Sequence, residues 1–147
     1  MDFTERCYSL LLVSSSAKFN QSLLTLLPET RYQPVVLASD VTSARRSLLE
    51  NSFDIVIINT PLPDSFGTRL ALDVCENSST GILLLVKTEH YSDINARVSP
   101  YGILTLSKPT PIQMITQSLL LLCGTRERLR KMEQKTASIE EKMEEIR

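Results

Sequence analysis

Short apolar runs alternate with amphipathic segments along the first 122 residues. Five runs predict β-strands, at 8–13, 34–37, 54–58, 81–86 and 103–106. Several of them are apolar at consecutive positions, as is typical of strands that are buried on both faces of a parallel sheet. Between the runs the apolar spacing changes to the three or four residues of a helix. This succession of strands and helices predicts an α/β domain with a doubly wound, five-stranded parallel sheet.

Two helix starts carry chemical markers, and one helix is weakly marked. Asp40 precedes the second helical segment as an N-cap carboxylate, and Pro111 suits the first turn of the last one. The fourth segment, 89–98, has only three clear apolar positions. We therefore expect the fourth helix to be short or mobile.

The composition changes abruptly after Leu122, where charged helix formers dominate and proline and aromatic residues are absent. The apolar or small positions then follow one another at alternating gaps of three and four, the heptad pattern of a coiled-coil seam. They are Leu122, Thr125, Leu129, Met132, Thr136, Ile139, Met143 and Ile146. We predict dimerisation through Leu122, Leu129, Met132, Ile139, Met143 and Ile146.

The charges beside this seam favour a parallel homodimer. With Leu122 at heptad position a, Arg128 of one chain faces Glu133 of its partner, and Lys135 faces Glu140. Lys142 facing Arg147 opposes this arrangement, and Thr136 weakens the seam. The alternative is a single helix that packs on its own domain, because isolated short seams are only marginally stable.

Gly124 offers two further alternatives. It ends the last domain helix, or it lies inside one continuous helix at a cost of about 1 kcal/mol. The unbroken heptad phase favours continuity. We accordingly divide the chain into a domain at 1–123 and a coiled-coil helix at 124–147.

Composition excludes several classes of function. The 147 residues carry 16 basic and 17 acidic side chains, so the net charge of −1 gives no global attraction for nucleic acid or an anionic membrane. The three widely spaced cysteines and the single histidine, His90, predict no zinc site. No apolar run is long enough to span a bilayer, and Asp2 and Glu5 do not suit a signal peptide. We expect a cytoplasmic protein without a cofactor or a bound metal.

Three segments carry a resemblance to a known family. They are the first strand followed by Ser14, the run DIVIIN followed by TPLPDSFG, and the run LSKP, which contains Lys108 and Pro109. Together they resemble a response-regulator receiver domain. The resemblance implies a flavodoxin-like sheet in the order 2-1-3-4-5 with its site at the carboxyl edge. It also implies that Lys108 matches the receiver lysine that pairs with the phosphoryl group.

The departures from the receiver pattern fall on its chemistry. Ser14, Ser15 and Ser16 stand where receivers have the acidic residues that hold Mg²⁺, and neutral hydroxyls do not supply the required charge. Asn59 stands where the phosphoacceptor aspartate would lie, and an amide oxygen is a poor nucleophile.

Two more positions differ in the same direction. Val86 replaces the hydroxyl residue that ends the fourth strand, and Thr105 replaces an aromatic residue. Asp54 lies at the wrong end of its strand to act as a substitute acceptor, and Asp64 lies in the following loop. The sequence thus predicts a degenerate phosphorylation site formed by Ser14, Ser15, Asn59, Val86 and Lys108.

Lys108 then has two possible roles. Its ammonium can donate to Asn59, to Ser14 or Ser15, or to backbone carbonyls, in a purely structural hydrogen-bond network. Alternatively it binds an anion or a metabolite at the strand ends. We favour the structural role, because no glycine-rich phosphate loop accompanies the lysine.

The tail gives a second resemblance. The segment KTASIEEKMEEIR is similar to the coiled-coil start of an ANTAR domain, the RNA-binding module of transcription antiterminators. The basic run RERLRK before it is expected to be a solvated helix face. The resemblance implies an RNA-binding region beyond residue 147 that recognises an RNA hairpin.

The leading hypothesis is therefore a phosphorylation-independent pseudo-receiver that dimerises and controls transcription antitermination. A protein-interaction adaptor without nucleic acid, docking a regulatory protein partner, is the alternative. An enzyme or a small-ligand sensor has the least support, because no base or nucleophile accompanies Lys108.

Overall fold

Strands and helices alternate along residues 6–146, the part of the chain that the computed structural model describes. The strands are β1 (Tyr8–Val13), β2 (Tyr32–Ala38), β3 (Ile55–Asn59), β4 (Gly81–Lys87) and β5 (Leu104–Lys108). The helices are α1 (Ala17–Leu26), α2 (Val41–Glu50), α3 (Thr68–Asn77), α4 (Thr88–Val98) and α5 (Ile112–Ile146). Each predicted apolar run contributes to one strand, so the alternation inferred from the sequence is confirmed.

The five strands form one parallel sheet in the order β2-β1-β3-β4-β5. This is the predicted flavodoxin-like order. In register, Asn59 pairs with Leu85, and Lys87 pairs with Lys108. Because all strands run in one direction, Asn59 and Lys108 lie at the same edge of the sheet, at the carboxyl ends of β3 and β5.

Two hydrophobic clusters cover the two faces of the sheet. Alternate strand residues such as Leu11, Val56 and Leu84 pack under α2, α3 and α4, and their neighbours pack under α1 and α5. Burying each such side chain contributes about 1.5 to 3 kcal/mol. The consecutive apolar positions of the strands are thereby explained, because both faces are covered.

Helix α4 corrects one expectation. It runs for 11 residues and continues into a 3₁₀ turn, Ser99–Tyr101. Ile94 and Val98, one turn apart, are buried against the sheet. Two well-placed anchors are sufficient to dock a helix whose other positions face water, so the expectation of a short helix was wrong.

Helix α5 is continuous for 35 residues and contains Gly124, as the unbroken heptad phase predicted. Its first part packs on the sheet, while every residue from Lys131 to Ile146 is exposed. The alternative in which the tail packs on its own domain is therefore not observed for residues 131–146.

The prediction that Leu122 belongs to the dimer seam is wrong. It is buried in the domain core and lies against Gly81, so its side chain is not available to a dimer seam. The exposed seam residues are Leu129, Met132, Ile139, Met143 and Ile146. Arg147, the predicted neighbour of Lys142 across the seam, and the acidic residues Asp2 and Glu5 lie outside the described residues.

No helix within residues 6–146 is both long enough and apolar enough to cross a membrane.

Candidate functional site

The carboxyl edge of the sheet brings Lys108, Asn59 and Ser14 together. The Lys108 ammonium donates to Asn59 Oδ1 at 3.0 Å and to the backbone carbonyl of Thr60. Lys108 ends β5 and Asn59 ends β3, so the lysine side chain spans the end of β4 between them. Of the acceptors considered for Lys108 in the sequence, the structure shows Asn59 and a backbone carbonyl.

Asn59 is also hydrogen-bonded to Ser14, the residue that follows β1. Its Nδ2 donates to Ser14 Oγ at 3.2 Å, and Ser14 Oγ also accepts from the backbone N–H of Ser16 at 3.3 Å. Ser14 and Asn59 are both buried. Buried polar groups are costly unless they have partners, and here both ends of the Asn59 amide have one. The arrangement is a satisfied network in which an amide fits, because it can accept from Lys108 and donate to Ser14 at once.

Two predicted members of the site, Ser15 and Val86, lie outside this network, and the side chain of the neighbouring Ser16 has another role. Ser15 is exposed, and Val86 is a fully buried apolar residue of β4. Ser16 Oγ accepts from the N–H of Phe19 at 3.2 Å and caps helix α1. The serine run therefore divides into a network member, a surface residue and a helix cap.

The hydroxyl of Thr105 is buried without a hydrogen-bond partner among residues 6–146. An unpaired buried hydroxyl destabilises the folded state.

Two residues of the site were missed by the sequence reasoning. Thr60 supplies the second acceptor for Lys108, and its own hydroxyl donates to the Leu85 carbonyl at 2.9 Å. Thr88 Oγ1 donates to the carbonyl of Lys108 at 2.8 Å and lies 2.8 Å from Ser107 Oγ. Thr88 lies two residues after Val86, the position where the sequence comparison expected a hydroxyl residue. Its hydroxyl could therefore have indicated a role for Thr88 in the site.

The electrostatics of the edge are positive. Burial, and after it the charge of Lys87, lowers the pKa of Lys108 below its ordinary value. No carboxylate of residues 6–146 forms an ion pair with either lysine. Mg²⁺ binding requires anionic oxygens, and within the described residues no group of acidic, histidine or cysteine side chains has the arrangement of a metal site.

The acidic residue of the following loop has a different role. Asp64 accepts from the N–H groups of Val41 and Thr42 at 2.9 and 3.0 Å and from the Thr42 hydroxyl at 2.9 Å. These bonds, led by that from Val41, lower the Asp64 pKa. Asp64 thus caps α2 together with Asp40, which accepts from the N–H of Ser43 at 2.7 Å. The predicted Asp40 cap is confirmed, and the carboxylate of Asp64 ties the loop after β3 to the start of α2.

At the opposite edge of the sheet, Asp54 binds helix α5. Its carboxylate accepts from Arg126 Nε at 3.1 Å, from Arg130 at 2.7 Å and from the Ser9 N–H at 2.9 Å. Asp54 is 7% exposed, and Arg126 also contacts the Ser79 hydroxyl. We call Asp54, Arg126 and Arg130 the Asp54 clasp.

A second ion pair reinforces the clasp. Glu127 is buried, pairs with Arg6 at 2.7 Å and accepts from the Tyr8 hydroxyl at 3.2 Å. The expectation that the basic run RERLRK is a solvated face was therefore wrong for Arg126 and Arg130. Contacts between α5 and the sheet continue past residue 123 as far as Arg130.

Comparison with known proteins identifies the fold. No protein-family model matches the chain, and no curated protein matches it. Among solved structures, the signal receiver domain of an HD domain-containing protein from Pseudomonas fluorescens is 27% identical, with a TM-score of 0.72. That alignment covers 86% of this chain and 93% of that domain.

Two further structures agree at lower identity. An adenylate cyclase structure from Rhodopirellula baltica is 15% identical with a TM-score of 0.80, covering 90% of this chain and 98% of the other. The beryllofluoride-activated NtrC4 receiver domain dimer is 18% identical with a TM-score of 0.71, covering 80% and 98%. Together with the strand order and the lysine at the carboxyl edge, these likenesses show that residues 8–122 have the fold of response-regulator receiver domains.

Proposed function

We propose that this protein is a signal-transduction regulator, a pseudo-receiver whose domain works without phosphorylation. The observation that carries this proposal is the bond from Lys108 to Asn59. The ammonium that would meet a phosphoryl group in a receiver is already engaged by an amide oxygen and by the carbonyl of Thr60. An amide does not form an acyl phosphate as a carboxylate does.

The loss of the metal ligands supports the same proposal. Ser14 accepts two hydrogen bonds inside the network, and Ser15 is exposed. Mg²⁺ dehydrates reluctantly and needs anionic oxygens. In this proposal the edge of the sheet is a structural network that has neither a carboxylate acceptor nor carboxylate ligands for a metal, and we assign no enzymatic activity to it.

We further propose a parallel homodimer through the exposed part of α5. The side chains of Met132, Ile139 and Ile146 are each more than half exposed. They lie on one side of the helix and form its apolar stripe over residues 131–146. An exposed seam of this kind is stabilised when a second copy covers it. The pairs Arg128 with Glu133 and Lys135 with Glu140 fit a parallel partner.

The output we propose is transcription antitermination by RNA binding. The support is the resemblance of KTASIEEKMEEIR to an ANTAR coiled coil. In this proposal the dimer holds two RNA-binding regions, contributed by residues after Arg147, against an RNA hairpin. A cytoplasmic location belongs to the same proposal.

The phosphorylation part is tested by incubating the protein with acetyl phosphate and Mg²⁺ and measuring intact mass, and by titrating beryllofluoride. We expect no added mass and no saturable change in fluorescence or NMR shifts. A receiver domain with an intact acidic site serves as the positive control. A saturable response to beryllofluoride at the carboxyl edge would contradict the proposal.

The RNA-binding part is tested by electrophoretic mobility shift with a chain extended past residue 147 and a terminator-overlapping hairpin. The 147-residue chain is the matched control, because it shares the domain and the seam. Binding by the extended chain only is the expected result. Absence of binding by both would favour the adaptor function described next.

A protein-interaction adaptor is the second candidate, and one observation favours it. A groove of about 460 Å³ lies between α1 and α5 and has a mixed lining. Its apolar part is formed by Leu26, Leu27, Pro28, Tyr32, Ile112 and Leu120, and its polar part by Arg31, Gln113 and Thr116. Leu26 is 52% exposed and Leu120 is 43% exposed. Exposed apolar grooves are common protein-binding sites, so this face suits a regulatory protein partner.

A further inference from the structure

Gly124 lies in the interior of α5 at a point where no contact requires a glycine. A Cβ built on it meets no atom within 4 Å, and its backbone does not have the positive φ of Gly67 and Gly102. Glycine in a helix interior shifts the local equilibrium away from the helix by about fivefold relative to alanine. The helix is therefore locally weak at Gly124 without a packing reason inside the domain.

The sheet holds α5 on both sides of this weak point. Before it, Leu122 packs against Gly81 in the core. After it, Arg126 and Arg130 reach the buried carboxylate of Asp54. With both flanks fixed to one rigid sheet, Gly124 stays helical and the coil leaves the domain in a defined direction.

The contacts after Gly124 differ in kind from those before it. Leu122 and Cys123 are anchored by apolar burial, whereas Arg126, Glu127 and Arg130 are anchored by charge. Removing one partner of a buried charge pair leaves the other charge without compensation and favours separation of the two elements. The Asp54 clasp, together with the Arg6–Glu127 pair beside it, thus marks the region where the exposed part of α5 can detach while the core remains packed.

We propose that the Asp54 clasp is a releasable joint. When it is closed, it holds α5 straight through Gly124 and fixes the direction of the coil. When it is open, Gly124 becomes a hinge and the coil reorients relative to the domain. This inference goes beyond the proposed function, because it depends neither on phosphorylation nor on RNA.

The test is hydrogen–deuterium exchange of the whole chain, followed by mass spectrometry at matched protein concentration. The reporting amides are those of residues 121–130. Three variants are compared with the parent: Asp54→Asn, Arg130→Gln and Gly124→Ala. Asp73→Asn is the matched control, because Asp73 pairs with Arg45 and Arg69 and makes no contact with α5.

We expect Asp54→Asn and Arg130→Gln to raise exchange at 121–130 about tenfold while the amides of β3 stay protected. Gly124→Ala alone should slow exchange there by about fivefold, and in combination with Arg130→Gln it should restore most of the lost protection. Asp73→Asn should change neither segment.

The proposal is overturned if exchange at residues 121–130 is unchanged in Arg130→Gln or in Gly124→Ala. If Asp54→Asn raises exchange throughout the sheet because the domain unfolds, the Arg130→Gln and Gly124→Ala variants decide the question. Dimer formation is measured on the same samples by sedimentation. A monomeric chain with a working joint would contradict the proposed dimer and leave this inference standing.

Discussion

Lys108 Nζ lies 3.0 Å from Asn59 Oδ1, so the residue that ends β5 and the residue that ends β3 are hydrogen-bonded directly to each other. The ammonium therefore already has an acceptor at the carboxyl edge of the sheet. The amide in turn uses its nitrogen on Ser14. The network thus links one ammonium to two neutral side chains, Asn59 and Ser14.

Restoring the aspartate alone is therefore expected to leave the site inactive. In Asn59→Asp the new carboxylate gains Lys108 as an ion partner, but Ser14 and Ser15 still supply no anionic oxygen for Mg²⁺. Acetyl phosphate should add no mass to this variant, and beryllofluoride should not bind. The matched variant combines Asn59→Asp with Ser14→Asp and Ser15→Asp. Of the two variants, only this triple variant is expected to bind Mg²⁺. Mg²⁺-dependent labelling of the single variant would show that Ser14 and Ser15 do not prevent metal binding, contrary to our proposal.

Removing the lysine should destabilise the domain. Lys108→Met leaves the buried Asn59 oxygen and the Thr60 carbonyl without their donor, which costs about 1 to 3 kcal/mol. The free energy of unfolding from urea titration measures the loss. Lys18→Met is the control, because Lys18 is exposed on α1 away from this network and should change stability by less than about 0.5 kcal/mol. Equal effects of the two substitutions would indicate that the network contributes nothing.

The fold could be predicted from the sequence to a large extent, and the attachment of α5 could not. Apolar runs at consecutive positions mark strands buried on both faces, so the alternation of strands and helices was readable locally. The partners of Asp54, in contrast, are 72 and 76 residues away, and nothing local distinguishes Arg126 from the exposed Arg128. Position in a heptad also does not separate Leu122, which the sheet covers, from Leu129, because helix and coiled-coil periods nearly coincide over two turns.

This distinction gives a paired prediction on the two leucines. Leu122→Ala removes a core side chain beside Gly81 and should lower the free energy of unfolding by about 2 to 5 kcal/mol. Leu129→Ala should leave the sheet packing intact and mainly weaken self-association. Urea unfolding at low protein concentration and sedimentation velocity at high concentration separate the two effects. A reversed pattern would place Leu122 in the seam after all.

The Tyr8 hydroxyl predicts a pH dependence. Burial, followed by the charge of Glu127, raises the pKa of Tyr8 to about 12 from its ordinary value of 10.0. The folded protein then holds this proton more tightly than the unfolded chain, so the associated stabilisation is complete below pH 10. It is lost as the pH rises from 10 towards 12, at up to about 1.4 kcal/mol per unit. Tyr8→Phe should show a shallower fall in stability than the parent over that range. Identical slopes would mean that Tyr8 does not contribute.

The charges beside the exposed seam predict how two chains are oriented. A parallel dimer contains two symmetry-related pairs in which Arg128 of one chain faces Glu133 of the other. Glu133→Lys makes both pairs repulsive, so it should raise the dissociation constant by about tenfold. The combined change Arg128→Glu with Glu133→Lys should restore association, because both pairs return with reversed sign. Ser138→Lys, outside the seam on the same helix, is the control and should have little effect. Sedimentation equilibrium measures each constant. An Ile139→Cys variant that also carries Cys7→Ser, because Cys7 is an exposed free thiol, should form an intermolecular disulfide, since equivalent core positions lie opposite each other along a parallel pair of helices. If the double variant stays as weak as the single one while Ile139→Cys fails to cross-link, the helices are antiparallel or do not associate through this face.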